Sequence, residues 1–204
     1  MNSDHLHRTK ALPTAAILLA AGASTRLGQP KQLAMLNDEA LLTRAIRIAH
    51  QAGCSPILVV LGSEADRIRA ACSLPKATVV INDHWPEGMA SSIRVGIEAL
   101  RGIAPQEAAD TLHGVLLMTC DQPAVTPEHL HALATSGDVT ASAYAGRHGV
   151  PAYFPTSVFP ALSQLTGDSG ARELLRASRA IPLPLGELDI DTPEALAEAQ
   201  RLFT

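Results

Sequence analysis

The stretch Ala15-Ala16-Ile17-Leu18-Leu19-Ala20-Ala21-Gly22-Ala23-Ser24-Thr25-Arg26-Leu27-Gly28-Gln29-Pro30-Lys31 decides how the chain folds. Its first six residues form an unbroken apolar run cut off by Gly22. That pattern belongs to a strand buried on both faces of a parallel sheet, since a strand with one wet face alternates. A glycine- and serine-bearing loop follows. Residues 40–51 then set Leu41, Leu42, Ala45, Ile46, Ile48 and Ala49 at helical spacing, with Arg44 and Arg47 between them and Gly53 as the stop. Strand, loop and helix in that order open an α/β unit.

The unit recurs outward from this point. Residues 57–61 read as a strand and 64–72 as a helix, then 78–81 as a strand and 89–100 as a helix. Residues 114–119 make a further apolar strand ending at Asp121-Gln122-Pro123. Thr126-Pro127-Glu128 and Thr192-Pro193-Glu194 each carry a helix start, a capping threonine followed by proline at the first helical position. Residues 139–144 and 151–154 flank Gly146-Arg147-His148-Gly149 as two strands joined by a glycine-containing turn, so the winding departs from simple βαβ after Asp138. The expected fold is a single Rossmann-like α/β domain over residues 13–204, a mostly parallel sheet flanked by helices, behind a polar tail at 1–12. Residues 102–110 read as a surface connection inside that domain.

Composition narrows the classes. An apolar share of 47% against 18% charged residues indicates a globular chain, and 3% aromatics require an aliphatic core. A net charge of -4 gives no basic footprint for nucleic acid, although a small local anion site is compatible with it. Cys54, Cys72 and Cys120 lie far apart without a Cys-x-x-Cys pair, which fits neither a disulfide framework nor a zinc site; all three are expected to be buried. The first ten residues are polar, and no run reaches the ~18 apolar residues of a membrane span, so a cytoplasmic location without membrane partners is the expectation.

In open α/β sheets ligands bind beyond the carboxyl ends of strands. Three places meet that condition. After the first strand, Gly22, Ala23 and Ser24 can offer backbone N–H groups to phosphate, with Arg26 and Lys31 adding positive charge. The spacing is not Gly-x-x-x-x-Gly-Lys-[Ser/Thr], because Gly28 lies one residue too far on and Lys31 does not follow it directly. Nor is it Gly-x-Gly-x-x-Gly, because Ser24 stands at the second glycine; an ordinary strand-to-helix turn is the plain alternative. After the strand at 115–118, Asp121 can ligate Mg²⁺ or merely occupy a turn before proline. In Asp189-Ile190-Asp191, alternation would put both carboxylates on one face of an extended segment; Asp191 or Thr192 could instead cap the last helix. The segment from Trp85 to Ser92 could receive a base, or be a capped helix with Trp85 on the surface. The eight histidines are scattered, and His129 and His131 do not share a helical face, so none is taken as a ligand.

Together these residues resemble the MobA-like nucleotidyltransferases, most closely the molybdenum cofactor cytidylyltransferases. The pattern Leu-x-Ala-Gly-x-Ser-x-Arg-x-Gly-x-x-Lys runs through residues 19–31. Gly88-Met89-x-x-Ser92, Asp121-Gln122-Pro123, Gly149-x-Pro151, Gly167-Asp168-x-Gly170-Ala171-Arg172 and Asp189-Ile190-Asp191-Thr192-Pro193-Glu194 follow in the family's order. The resemblance implies the nucleotide-diphospho-sugar transferase variety of the fold. It implies a nucleotide site made of Leu19, Ala20, Ala21, Gly22, Ala23, Ser24, Arg26, Lys31, Gly88, Met89, Ser92 and Asp121, in which Arg26, Lys31 and Asp121 serve catalysis. Asp121 and Asp191, with Asp189 nearby, would hold Mg²⁺ or Mn²⁺, and Gly149, Pro151, Asp168 and Gly170 would face the acceptor. The guanylyl branch usually begins its loop Leu-Ala-Gly-Gly; Ala21 here, with the Gly-Met-x-x-Ser segment, favours CTP over GTP.

The implied reaction is attack by the terminal phosphate of molybdopterin on the α-phosphorus of CTP, with pyrophosphate leaving. Positioning and charge neutralisation suffice for it, and no covalent role falls to Cys120 or Ser24. A sugar phosphate or other small phosphate acceptor is the nearest alternative. A non-catalytic protein delivering cofactor to a molybdenum hydroxylase is the second, and a nicotinamide-type oxidoreductase the third, disfavoured by the missing fingerprint.

Overall fold

The computed structural model describes residues 13–103, 112–168 and 170–203. The expected tail at 1–12 and most of the expected connection at 102–110 lie outside them. The opening apolar run is strand β1 (Thr14–Ala20), buried along its whole length. A two-residue hairpin follows, β2 (Met35–Leu36) and β3 (Glu39–Ala40), before helix α1 (Leu41–Gln51). The alternation continues with β4 (Ile57–Leu61), α2 (Ala65–Ala71), β5 (Ala77–Ile81), α3 (Met89–Ile103), β6 (Gly114–Met118) and α4 (Pro127–Ala134). The chain then runs through β7 (Thr140–Tyr144), β8 (Arg147–Pro155), the short helices α5 (Phe159–Leu162) and α6 (Arg172–Leu175), β9 (Arg179–Pro182) and α7 (Pro193–Leu202).

Seven strands form one sheet in the order β5-β4-β1-β6-β8-β7-β9. β1, β4, β5 and β6 are parallel, β8 runs antiparallel between β6 and β7, and β9 is parallel to β7. β1 connects through its helix to β4 on one side and has β6 on the other. The strand order thus reverses between β1 and β6, and the loops leaving those two strands border one crevice.

The apolar run in β1 is continuous because both faces are covered. Ala16, Leu18 and Ala20 pack with Leu42, Ile46 and Ala49 of α1, while Ala15, Ile17 and Leu19 pack with Ile93, Ile97 and Leu100 of α3. α1 ends as its sequence requires: Gly53 takes φ +87°, its N–H donates to His50 C=O, and Cys54 N–H donates to Ala49 C=O. Thr126 and Thr192 cap α4 and α7 through their side-chain oxygens, as the Thr-Pro-Glu signals predict. All three cysteines are buried and free. Among the described residues no helix is long and apolar enough to cross a membrane.

Three features differ from the sequence reading. The turn between β7 and β8 is Ala145-Gly146, both at positive φ (47° and 70°), so Arg147, His148 and Gly149 belong to β8 and not to the loop. Gly149 reads as a chain breaker, yet here it makes room: a Cβ on it would stand 2.3 Å from Tyr144 Oη. The hairpin β2–β3 and the edge strand β9 have no counterpart in the sequence reading, being too short to show a period. Finally, residues 189–191 are not extended. Asp191 N–H donates to Asp189 C=O at 2.9 Å, forming a tight turn.

Candidate functional site

The loop after β1 is held from within. Leu27 is buried in the core beside α1, and its N–H donates to Ser24 C=O at 3.2 Å. Ser24 takes φ +53° and its Oγ accepts the Lys31 N–H at 3.1 Å, closing the loop on itself. Buried Gln32 donates from Nε2 to Ala20 C=O at 2.6 Å, fixing the end of β1 to the turn that carries Lys31. Gln32 Nε2 also lies 3.5 Å from Gly22 C=O, but the Cα of Gly22 is open: beyond its chain neighbours a Cβ there would meet no described atom within 4 Å, and its φ is not positive.

Lys31 reaches across the crevice. Its Nζ donates to Asp121 Oδ2 and to Asp191 Oδ1, each at 2.5 Å. Two carboxylates from the loops after β6 and β9 thus share one ammonium. Burial by itself would lower the Lys31 pKa, but the charge of Asp121 and the hydrogen bonds to both carboxylates outweigh it and hold the pKa above its ordinary value. Asp191 also accepts from Arg26 at 2.5 Å. Burial disfavours its charged form, yet Lys31 and Arg26 together keep its carboxyl below the usual range. The C-terminal motif arrives here because Ile190 is fully buried in the core and donates its N–H to Asp121 C=O at 2.8 Å. Among the described residues no cation hydrogen-bonds the Asp189 carboxyl: burial, then the charges of Asp121 and Asp191, outweigh the opposing charges of Arg147 and Lys31 and push it up to about 6.

Two cavities meet at this junction. The first, about 510 Å³, is lined by residues 19–22, Lys31, Gly88, Met89, Ser92 and Asp121 from the expected nucleotide set. Trp85, Gln32 and Cys120 also line it. Trp85 is seated by Gly62, where a Cβ would come within 2.6 Å of Trp85 Cβ. The second, about 310 Å³, shares Lys31, Met89, Thr119, Asp121 and Asp168 with the first and adds, among others, Gly149, Asp189 and Asp191. Ala23, Ser24 and Arg26 line neither cavity, and nor do Pro151 and Gly170. Pro151 is buried and its C=O accepts Ser142 Oγ at 2.6 Å, while Gly170 backs Met89, with a Cβ meeting Sδ at 2.8 Å.

Asp168 has a structural duty at the wall between the cavities. Its Oδ1 accepts the Met89 N–H at 3.3 Å, and Gly167 C=O accepts the Ala90 N–H at 3.2 Å, so residues 167–168 close the start of α3. Gly88 permits this approach, with φ +104° and a Cβ that would lie 2.8 Å from Asp168 Cα. Buried Asn82 donates to Ser91 Oγ at 2.9 Å and to Ser92 Oγ at 3.0 Å, setting the hydroxyls of the first helical turn.

Among the described residues there is no group of three or more His, Cys, Asp or Glu side chains arranged to hold a metal ion. Asp121 and Asp191 nevertheless have oxygens within about 5 Å of each other, since both touch Lys31 Nζ. Asp121 Oδ1 is buried and has no hydrogen-bond partner among the described residues.

Gln32 carries no sign of its place in the sequence, since a glutamine after lysine has no local signal of burial. Trp85 opens the segment expected to receive a base, and it lines the first cavity.

A mostly parallel sheet with its crevice at the strand-order reversal, and a lysine joining two carboxylates across it, define an α/β protein with its ligand site at a topological switch point. The chain belongs to the MobA-like NTP transferase domain family, whose pattern it matches over residues 16–181. Nicotine blue oxidoreductase of Paenarthrobacter nicotinovorans is 32% identical over 172 residues, 78% of this chain and 80% of that one. Purine catabolism protein PucB of Bacillus subtilis is 29% identical over 204 residues, 92% and 96% of the two chains. A probable molybdenum cofactor guanylyltransferase of Synechococcus elongatus is 37% identical over 109 residues, 53% of this chain and 50% of its own. The crystal structure of Rv0371c from Mycobacterium tuberculosis superposes with a TM-score of 0.76 at 31% identity, covering 94% of this chain and 99% of that one. The same protein has been solved in complex with manganese (TM-score 0.74, 29% identity, the same coverage).

Proposed function

We propose that this protein transfers the cytidylyl group of CTP to the terminal phosphate of a molybdopterin-type cofactor, releasing pyrophosphate, for use by a molybdenum hydroxylase. The observation that carries the reading is the Lys31–Asp121–Asp191 junction where two cavities meet. Nucleotidyl transfer needs two anions brought together at one point with charge neutralised between them. The larger cavity, edged by the Gly22 loop and Trp85, suits the nucleotide; the smaller suits the acceptor. The molybdenum context is supported by the ordered motifs and by the guanylyltransferase relative. CTP is supported by Ala21 in place of the glycine usual in the guanylyl branch.

In this reading Lys31 and Arg26 neutralise phosphate oxygens as the acceptor oxygen bonds to the α-phosphorus and the bond to the β-phosphate oxygen breaks. Asp121 and Asp191 would hold a divalent cation, Mg²⁺ or Mn²⁺, with Asp189 beside them. The fit rests on the buried Asp121 Oδ1, which has no hydrogen-bond partner among the described residues, and on the oxygens of Asp121 and Asp191 lying within about 5 Å of each other. When bound, the cation adds charge neutralisation at the phosphates. Gln32 and Ser24 hold the loop in register, and Asn82 sets Ser92.

Lys31→Ala separates an enzyme from a pure cofactor carrier. CTP-dependent pyrophosphate release should fall on the order of 10²–10³-fold, the loss typical of removing one charge-stabilising donor. Unchanged release by the variant would contradict the proposal, as would NAD(P) binding with no response to CTP.

A further inference from the structure

The second cavity contains a guanidinium that the acceptor motifs do not name. Arg147 opens β8, lines this cavity and sits 5.1 Å from the centroid of the Tyr144 ring. The ring beneath it is locked. Tyr144 Oη donates to Val150 C=O at 3.1 Å and accepts from Gln122 Nε2 at 3.3 Å, tying it to the residue beside Asp121. Gly149 and Gly186 leave the space this side chain fills, since Cβ atoms there would stand 2.3 Å from Tyr144 Oη and 2.8 Å from ring Cδ1. Among the described residues Arg147 makes no hydrogen bond or ion pair, although Asp189 lines the same cavity. Arg26 and Lys31, by contrast, are both paired with carboxylates.

We infer that Arg147, held over Tyr144, is a specificity-determining residue that grips an anionic oxygen of the acceptor's phosphomonoester in the second cavity. A ring-stacked guanidinium keeps its N–H edge free and has fewer rotamers to lose on binding, which suits it to a planar, two-pronged grip on phosphate. The β7–β8 hairpin thereby reads the acceptor, whereas the Gly22 loop reads the nucleotide. The inference rests on the proposed transfer reaction, which fixes the acceptor's reacting end as a phosphate.

Steady-state kinetics of the full chain with CTP and molybdenum cofactor test it, comparing wild type, Arg147→Met and Arg147→Lys. Arg147→Met should raise the acceptor KM about tenfold or more, the worth of one charged hydrogen bond, with the CTP KM and the CTP-induced thermal shift unchanged. Arg147→Lys should recover part of the loss. An unchanged acceptor KM in Arg147→Met overturns the inference, as does a fall in kcat alone or an equal rise in the CTP KM. If wild type itself transfers nothing from CTP, the proposed function fails; if wild type is active and Arg147→Met matches it, only this inference does.

Discussion

Gly22 and Asp189 make opposite demands on the protein. At Gly22 neither backbone conformation nor packing requires glycine, because φ is not positive and a Cβ would meet nothing. Any requirement must come from what approaches the loop through the first cavity. Gly22→Ala should therefore leave stability within about 0.5 kcal/mol of wild type while reducing the thermal shift produced by CTP with Mg²⁺. A variant with an undiminished CTP shift would remove Gly22 from the site. Asp189 is a stability cost at neutral pH. Its carboxyl rises from 3.8 to about 6, so the folded chain binds a proton that the unfolded chain has released. Its contribution is full below about pH 4 and lost as the pH rises through 6. After discounting for solvent screening at a partly exposed group, Asp189→Asn should stabilise the chelator-treated protein by ~1 kcal/mol at pH 7.5, about 2–4 °C, and by little at pH 4. A thermal midpoint that falls at pH 7.5 would contradict this. Lys31 and Asp121 were legible as site residues because each follows an apolar strand. The convergence of Asp191 was legible only through the motif order, since the tight turn at 189–191 is set by Ile190 entering the core and bonding Asp121.

At the scale of elements, the start of α3 is the joint on which the two cavities turn. Residues 167–168 cap it from a distant part of the chain, and Gly88 is what lets them come close. Gly88→Ala forces a Cβ onto a backbone held at φ +104° and into Asp168 Cα. It should cost about 1–3 kcal/mol and lower the thermal midpoint accordingly, whether or not nucleotide is present; an unaltered midpoint would mean that residues 167–168 do not cap this helix. The long elements were readable because each carries its own pattern. α1 shows a full apolar face and a glycine stop, and β1 a two-sided burial run. β9 is not readable: four residues, Arg179-Ala180-Ile181-Pro182, hold no period, and their pairing with β7 comes from the tertiary fold. β8 was placed too late because Gly149 signals a break locally, while its actual role is steric, beneath Tyr144. Arg147 accordingly reads as a turn residue in the sequence, although it begins a strand.

For the whole molecule, the reversal of strand order between β1 and β6 fixes where chemistry can occur. The sequence pattern foretold a Rossmann-like sheet, and its polarity put the loops after β1 and β6 at one end. It did not foretell that a single ammonium would join them, which depends on the length of the loop and on Gln32 anchoring it to β1. The central claim is that this junction supports transfer of a nucleotidyl group. The most direct measurement follows two labels in parallel, CTP labelled at the α-phosphate and CTP labelled at the γ-phosphate, each incubated with the protein, Mg²⁺ and molybdenum cofactor. The account predicts α-label in the cofactor product and γ-label in pyrophosphate, with Lys31→Ala slowing both on the order of 10²–10³-fold. Label that stays in triphosphate for CTP and for GTP, ATP and UTP alike, or γ-label released as inorganic phosphate, would contradict it.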